Sequence, residues 1–498
     1  MVRGILLPLE WCLYAIGSLV LFLKWMIWEK SPQAWRWIRG QQKAPPTHGN
    51  AGFAGMKEMK ADGHLTPGGF LIGVKEKKRV FTLPEACVHF FGKRGEGKSQ
   101  TFAANLNYIC ELEKKPDILI GDPAGEHLGI FGPKMKAAGF DLLILDLDNP
   151  ASNAGYNALS PLANSTQFSI GSDVEAITSL AMPEIDEHAS SQHFIDAAHG
   201  VLAALIDWEY QQKVAKAEFH EAIRLLTTAD EPERDKVLAL IQTNGSDTAK
   251  AGINVYLRVK EREKGSFNST IGRKLRIFND PSIKAIMKPN GSPWTWEDVF
   301  NNPKPVGVFV IGGAGDEKVS GAFNRLVIGQ CIDAVKRYYS AQGRKRLQKG
   351  LRVFVDEADT LGYCKPMLHA VTQLRKHGVN VFMCWQSIGQ IVTNFGGERK
   401  AQPMIDGCDW IITGGLKDEK LYGTVSRLLG DFTGMSKSES LADHGKSEGK
   451  HETARPLMKI DELKSMRKNR VVVLADRLNL LHDLPYESDE KTRTVKYL

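Results

Sequence analysis

Cysteine is scarce in this chain, with seven in 498 residues. Cys12, Cys87, Cys110, Cys331, Cys364, Cys384 and Cys408 are scattered, and no CxxC spacing occurs. That argues against a zinc site. A chain of this length buries a sizeable core and needs no disulfide framework, and several of the thiols sit inside apolar runs, as buried groups of a reducing compartment do. An excess of either sign is also small: the formal net charge is only +7. Part of that excess is local, since Arg3, Lys24, Lys30, Arg36, Arg39 and Lys43 face only Glu10 and Glu29 in the opening stretch. The overall balance is therefore a weak argument for nucleic acid. No internal repeat is evident. What remains is ordinary globular composition, 42% hydrophobic and 25% charged, in a length that suits two or three domains.

Residues 1–30 read as a membrane segment. Trp11–Leu23 is uncharged, and Trp25 and Trp28 extend the apolar stretch toward the roughly 18–20 residues a span requires. Trp11, Trp25 and Trp28 are placed like interfacial anchors, and Lys24 would snorkel. Basic residues lie mainly after the stretch, which sets the C-terminal side in the cytoplasm. An amphipathic surface helix is one rival. A cleaved signal peptide is another, but bulky tryptophans stand where a small-x-small site belongs. Residues 31–69 read as a linker.

From Phe70 onward, apolar runs alternate with helical periods, the signature of an α/β fold with a mostly parallel sheet. Candidate strands are Ala86–Phe91, Ile118–Gly121, Leu142–Asp146, Val306–Ile311, Val353–Val355, Val381–Cys384, Trp410–Thr413 and Val471–Leu474. They lack strict alternation, as strands covered on both faces do. Between Pro161 and Asn301 the pattern turns helical, with Phe194, Ile195, Ala198, Leu202, Leu205 and Ile206 on one period. Further helical signals run over Phe219–Leu226, Asp235–Gln242 and Gly252–Glu263. The domains expected are thus a nucleotide-binding domain in two parts, 70–165 and 303–498, interrupted by an all-α domain at 166–302. Residues 434–455 are polar and read as an exposed loop.

The chemistry-bearing motif is "GKRGEGKSQ", residues Gly92, Lys93, Arg94, Gly95, Glu96, Gly97, Lys98, Ser99 and Gln100. A phosphate-binding loop needs a strand, glycines that let backbone amides turn inward, and a helix N-terminus adding positive potential. The run Ala86–Phe91 supplies the strand. Phe102, Leu106, Ile109 and Leu112 supply the helix. Lys98 would reach the β- and γ-phosphates of ATP, and Ser99 would ligate Mg2+. A structural glycine turn is the bland alternative. Asp356 and Glu357 follow an apolar strand in "LRVFVDEADTLG". There Asp356 would hold Mg2+ and Glu357 would polarise the attacking water, although acidic strand ends are often only solvated turns. Gln386, past the strand Val381–Cys384, would sense the γ-phosphate or be an ordinary polar strand terminus.

At these residues the chain resembles the type IV coupling proteins of bacterial conjugation and type IV secretion. "GDPAGEHLG" at 121–129 is similar to that family's Asp-Pro-Lys-Gly-Glu signature, and "YNALSPL" at 156–162 to its Tyr-Asn-Pro-Leu segment. "VDEADTLG", "LRKHGVNVFMCWQSIGQ", "TVSRLLGDFT" and "RPLMKIDEL" match further segments in the family's order. The resemblance spans about residues 70–480. It implies a RecA-like P-loop ATPase domain with an inserted all-α domain and an N-terminal transmembrane helix. It also implies a protein of the bacterial inner membrane, single-pass by the reading of residues 1–30, assembled as a homo-hexamer around a channel with ATP between subunits. Its partners would be DNA, single-stranded and read without sequence preference, together with a relaxase and the type IV secretion channel proteins. The sequence departs from the family at Ala124, where the family has Lys, and at Arg94-Gly95-Glu96, where Thr-Gly-Ser-like residues are commoner. It also departs in carrying one membrane helix where many relatives carry two.

Ring ATPases donate a basic residue across the subunit interface. Arg375 in "TQLRKHG" matches a family position for it, with Arg325 and Arg427 behind, and a solvated helix cation is the alternative. Arg258, Lys260, Arg262, Lys264, Arg273, Lys274 and Arg276 offer a basic lining for DNA phosphates, interleaved with Glu261 and Glu263 as a solvated face would also be. His193, His199 and His369 lack ligand spacing and read as structural. Two functions compete: an ATP-driven DNA translocase, and a receptor for protein substrates in which ATP mainly controls assembly.

Overall fold

The computed structural model describes residues 47–150, 154–183, 192–258, 261–287, 294–312, 317–442, 445–489 and 494–497. The apolar segment at 1–30 lies outside the described residues. Among the described residues no helix is long and apolar enough to cross a membrane. The chain divides into two compact units, a small one of Met1–Gly52 with Ser426–Lys459 and a large one of Phe53–Val425 with Ile460–Leu498.

The large unit is organised by one sheet. Its strands are β1 Leu71–Lys75, β2 Lys78–Phe81, β3 Val88–Phe91, β4 Asp117–Gly121, β5 Asp141–Asp146, β6 Val306–Ile311, β7 Leu351–Val355, β8 Val379–Trp385 and β9 Asp409–Thr413. After the small unit's hairpin, β10 Asp431–Ala442 and β11 Gly445–Pro456, the sheet is completed by β12 Arg470–Leu474 and β13 Asn479–Asp483. The order is β2-β1-β13-β12-β9-β3-β8-β7-β4-β6-β5. From β9 to β5 all pairings are parallel. From β9 outward to β2 they are antiparallel.

All eight expected strands are present, each within a few residues of its expected ends. The sequence "VGVFVI" of β6 and "LRVFV" of β7 are buried throughout, which is why they lack alternation. Helix Lys98–Glu111 packs on the sheet through Phe102, Leu106 and Ile109, all fully buried. Phe102, Phe354 and Phe70 form a tilted and edge-to-face aromatic core, with centroids 4.7 Å apart for Phe102–Phe354 and 5.4 Å for Phe70–Phe354. Each such ring contributes about 1.5–3 kcal/mol by burial, and each pair about 0.5–1.5 kcal/mol more. Within the stretch read as a linker, Met56–Ala61 is a helix and its Met59 is fully buried in this core.

Between β5 and β6 no strand occurs among the described residues. Helices Ile170–Ala181, Gln192–Lys213, Phe219–Thr227, Glu231–Asn244, Asp247–Leu257, Glu261–Leu275, Pro281–Met287 and Trp296–Asn301 fill the interval. The expected helix over Gly252–Glu263 is instead two helices: Leu257 ends one and Glu261 opens the next. Gly200 and Gly252 let helices Gln192–Lys213 and Asp247–Leu257 touch backbone to backbone, since a Cβ on Gly200 would stand 2.9 Å from the Gly252 carbonyl oxygen.

In the small unit, the polar stretch expected to be a loop is a regular antiparallel ladder, with Asp431 opposite Pro456 and Ala442 opposite Gly445. Backbone hydrogen bonds, which need no apolar side chains, define that ribbon.

Candidate active site

Strand β3 ends at Phe91, and the Gly92 N–H still donates to the Trp385 carbonyl of β8 at 3.1 Å. The chain then turns through Gly95, φ +84°, and Gly97, φ +89°. Both lie in the left-handed region that only glycine enters cheaply. Gly97 is also crowded, because a Cβ there would fall on the Tyr486 hydroxyl and 2.7 Å from Leu484 Cδ1. Helix Lys98–Glu111 starts at once, so its free N-terminal amides face the loop. Lys98 Nζ donates to the Gly92 carbonyl at 2.7 Å, which folds the ammonium across the loop. Glu96 does not burden the loop with a free anion: its carboxylate lies 3.4 Å from Lys93 Nζ. Arg94 is exposed. Gln100 Oε1 accepts from the Tyr497 hydroxyl at 3.1 Å.

The parallel register carries β7 to the same edge, with Val355 opposite Gly121 of β4 and Met383 of β8. Asp356 follows, and its Oδ2 accepts from Ser99 Oγ at 3.4 Å. Residues 257 positions apart thus meet. Burial opposes ionisation of Asp356. The neighbouring His127 imidazole, the Lys98 ammonium and the Glu357 N–H outweigh it and hold this carboxyl below the ordinary range. His127 was not singled out from the sequence. Its Nε2 lies 3.9 Å from Asp356 Oδ2, and its ring stacks on Phe102 at 4.3 Å. Its Nδ1 is buried without a hydrogen-bond partner. Asp122 fixes the backbone beneath it, accepting from the His127 and Leu128 N–H groups at 2.9 and 3.1 Å. Burial raises the pKa of Asp122. The signal available in sequence was the "GDPAGEHLG" segment itself, which brings Asp122 and His127 beside the acidic strand end.

Glu357 takes φ +53°, ψ +54°, a left-handed conformation unusual for a residue with a Cβ. Its carbonyl accepts from Thr360 N–H and Thr360 Oγ1, at 3.0 and 2.9 Å. Gln386 is exposed at the end of β8 and lines an open cleft of about 620 Å³ with Lys93, Ser387, Gln390, Lys417 and Asp418. Asp418 starts two helices, accepting from Ile388 N–H at 3.1 Å and Leu421 N–H at 2.9 Å.

Loop, lysine, serine, acidic pair and glutamine therefore stand on one edge of the sheet. Arg375 does not join them. It precedes β8 at the opposite edge and donates to the Gly407 carbonyl at 2.6 Å. Arg325 is half-buried, bonded to the Leu180 and Leu361 carbonyls, and desolvation lowers its pKa to about 10. Arg427 is an exposed residue of the small unit. In the helical insert Arg258, Arg273 and Arg276 are exposed, and Lys264 lies 5.8 Å from the Tyr256 ring centroid. Lys260 and the side chains of Arg262 and His193 lie outside the described residues. His199 lies 3.2 Å from Glu175 and His369 bonds Lys336, both away from the loop. A hydroxyl beside an ionised carboxylate, next to an ammonium and a row of amides, is a donor set for a hard divalent cation and an anionic phosphate.

Comparison with known proteins agrees with this arrangement. Residues 90–480 match the family model described as type IV secretory system conjugative DNA transfer. The conjugal transfer protein TraG of Rhizobium radiobacter is 23% identical over 392 residues, which are 76% of this chain and 58% of that protein. The type IV secretion system-coupling protein VirD4 of Bartonella henselae is 23% identical over 407 residues, 79% of this chain and 62% of that one. The chain spans a little over half the length of these relatives. Among solved structures, the bacterial conjugative coupling protein TrwB in its unbound monoclinic form superposes with a TM-score of 0.62 at 17% identity, covering 89% of this chain and 94% of that one. TrwB in complex with ADP and Mg2+ superposes at 0.64 and 16%, covering 89% and 96%. Those likenesses show a shared fold, and the matched family model, covering well over half the sequence, places this chain in the type IV secretory system conjugative DNA transfer family.

Proposed function

We propose that the chain is a membrane-anchored ATPase that couples substrate to a type IV secretion channel, recruiting relaxase-bound DNA or protein and driving its translocation by ATP hydrolysis. The observation that carries this reading is the meeting of Ser99 and Asp356 at 3.4 Å beside Lys98. The glycine loop 92–97 cradles the phosphates through its amides. Lys98, which donates to the Gly92 carbonyl, would serve the β- and γ-phosphates. Ser99 and Asp356 would hold Mg2+, and the depressed pKa of Asp356 suits a ligand that must be ionised. When bound, Mg2+·ATP supplies the transferable phosphoryl group. Glu357 orients water, and Gln386 reads the γ-phosphate. That TrwB has been solved with ADP and Mg2+ supports ATP and Mg2+ as cofactors here.

The remaining assignments rest on the family. Residues 1–30 would anchor the protein in the inner membrane and 31–69 would lead from it to the cytoplasmic ATPase, with Met56–Ala61 already packed into that domain's core. That domain comprises 70–165 and 303–498, with the all-α domain at 166–302 facing substrate. A homo-hexamer would place Arg375, at the far edge of its own sheet, toward a neighbour's phosphates.

The test is ATP hydrolysis by the full-length protein in detergent, with and without single-stranded and double-stranded DNA. Lys98→Ala and Glu357→Gln should each lower kcat at least about a hundredfold with an unchanged melting temperature. Wild-type hydrolysis in Lys98→Ala would refute the reading. Hydrolysis that ignores DNA would refute the translocase and leave a protein receptor.

A further inference from the structure

We propose that Gln390 is a positioning residue that locks the water-orienting Glu357 turn and the phosphate-sensing Gln386 loop into one unit. The inference rests on the nucleotide-hydrolysis reading of this site and adds to it a residue with no assigned role.

The geometry is specific. Gln390 lies in the first turn of helix Ile388–Asn394, where Ser387 Oγ accepts from its N–H at 3.3 Å. Its side-chain amide then works in two directions. Oε1 accepts from the backbone N–H of Gln386 at 2.7 Å and of Ser387 at 3.3 Å. Nε2 donates to Asp359 Oδ2 at 2.8 Å, two residues past Glu357. One turn on, Asn394 Nδ2 donates to the Asp359 carbonyl at 3.0 Å. The helix is thus fastened to the turn Ala358–Leu361 while its cap holds the end of β8.

The turn needs such fastening. Glu357 sits in a left-handed conformation that is strained for a residue with a Cβ and persists only where neighbours enforce it. From the other side, Gly321 packs so closely on the Thr360 carbonyl that a Cβ would not fit. Arg325 bonds the turn's Leu361 carbonyl, and Gln390 and Asn394 fasten the turn to the helix after β8. Only an amide serves, because one end must accept from N–H groups while the other donates to a carboxylate. The outcome is that Glu357 and Gln386 share one rigid support, so a shift at one loop is passed to the other.

The experiment uses the full-length protein and four variants. Gln390→Ala is expected to lower kcat about tenfold or more, with the KM for ATP changed less than about twofold, as loss of positioning does. Asp359→Asn keeps an oxygen for Nε2 and should retain most activity. Gln390→Glu sets a carboxylate against Asp359 and should be as poor as Gln390→Ala. The double variant Gln390→Glu/Asp359→Asn restores a donor and acceptor in reversed order and should recover at least about half of wild-type kcat. A structural defect would not be rescued that way. Hydrogen exchange gives a readout that needs no hydrolysis: in Gln390→Ala, amides of 357–361 and 386–387 should lose protection together.

Wild-type kcat in Gln390→Ala, no rescue by the double variant, or loss of protection confined to 386–387 would overturn the proposal. A wild-type protein that never hydrolyses ATP would defeat the nucleotide reading instead. The exchange data would then decide the coupling of the two loops alone.

Discussion

Gly97 is the position where loop conformation and tertiary packing press on the same atom, and its replacement has a calculable cost. Gly97→Ala adds a Cβ at φ +89°, which by itself costs about 1–2 kcal/mol for an L-residue. The added carbon also falls on the Tyr486 hydroxyl and 2.7 Å from Leu484 Cδ1. Overpacking of that kind costs a further ~1–3 kcal/mol, so the sum is about 2–5 kcal/mol. Gly95→Ala is the internal control. Its φ is +84°, but nothing lies within 4 Å of the new carbon, so only the backbone share should appear. The assay is urea unfolding of the full-length protein in detergent, followed by fluorescence. A double variant sharpens it. Tyr486→Phe removes the hydroxyl that collides and sacrifices its 2.8 Å hydrogen bond to Asn469 Oδ1, at about 1 kcal/mol. In the Gly97→Ala background that cost should shrink or change sign, a coupling of about 1 kcal/mol. Equal destabilisation by Gly95→Ala and Gly97→Ala, or strict additivity with Tyr486→Phe, would show that the C-terminal segment does not press on the loop as described.

Gly200→Ala should separate the two packed helices of the insert and cost about 1–3 kcal/mol, read as a lower urea midpoint, while ATP hydrolysis without DNA stays near wild type. Burial raises the pKa of Asp409 to about 7 despite the Arg375 charge, so the native state holds a proton that the unfolded chain has lost. From about pH 4 to 7 the unfolded state therefore binds fewer protons, and this residue makes stability fall with rising pH by up to about 1.4 kcal/mol per unit. Asp409→Asn should remove that slope, and a wild-type minus mutant difference flat across that window would contradict it. The opposite sign holds for Asp356, whose lowered pKa contributes stability above its unfolded value that is lost on acidification. Lys98→Ala and Glu357→Gln should abolish hydrolysis while leaving the urea midpoint in place.

The sequence by itself determined the class of fold and the chemistry of the loop. Eight strands could be read because each is a short apolar run, most of them buried on both faces, although edge strand β5 buries only Leu145 fully. The phosphate loop could be read because glycine, lysine and serine at fixed spacing have a backbone reason to be there. What the sequence could not show depends on partners distant in the chain. Strands β1, β2 and β13 are short and partly polar, and they become strands only because β13 and β12 extend the edge beside β9. The ribbon of β10 and β11 is mostly polar and is held by backbone pairing, which leaves little hydrophobic trace. His127 and Gln390 look like ordinary helix residues until the sheet sets one beside Asp356 and the other between Gln386 and Asp359. Arg375 stands at the other edge of its own sheet, bonded to the Gly407 carbonyl, a placement its sequence motif does not reveal. Composition and spacing act along the chain, whereas strand order and side-chain reach act across it, and only the tertiary structure carries the second kind of information.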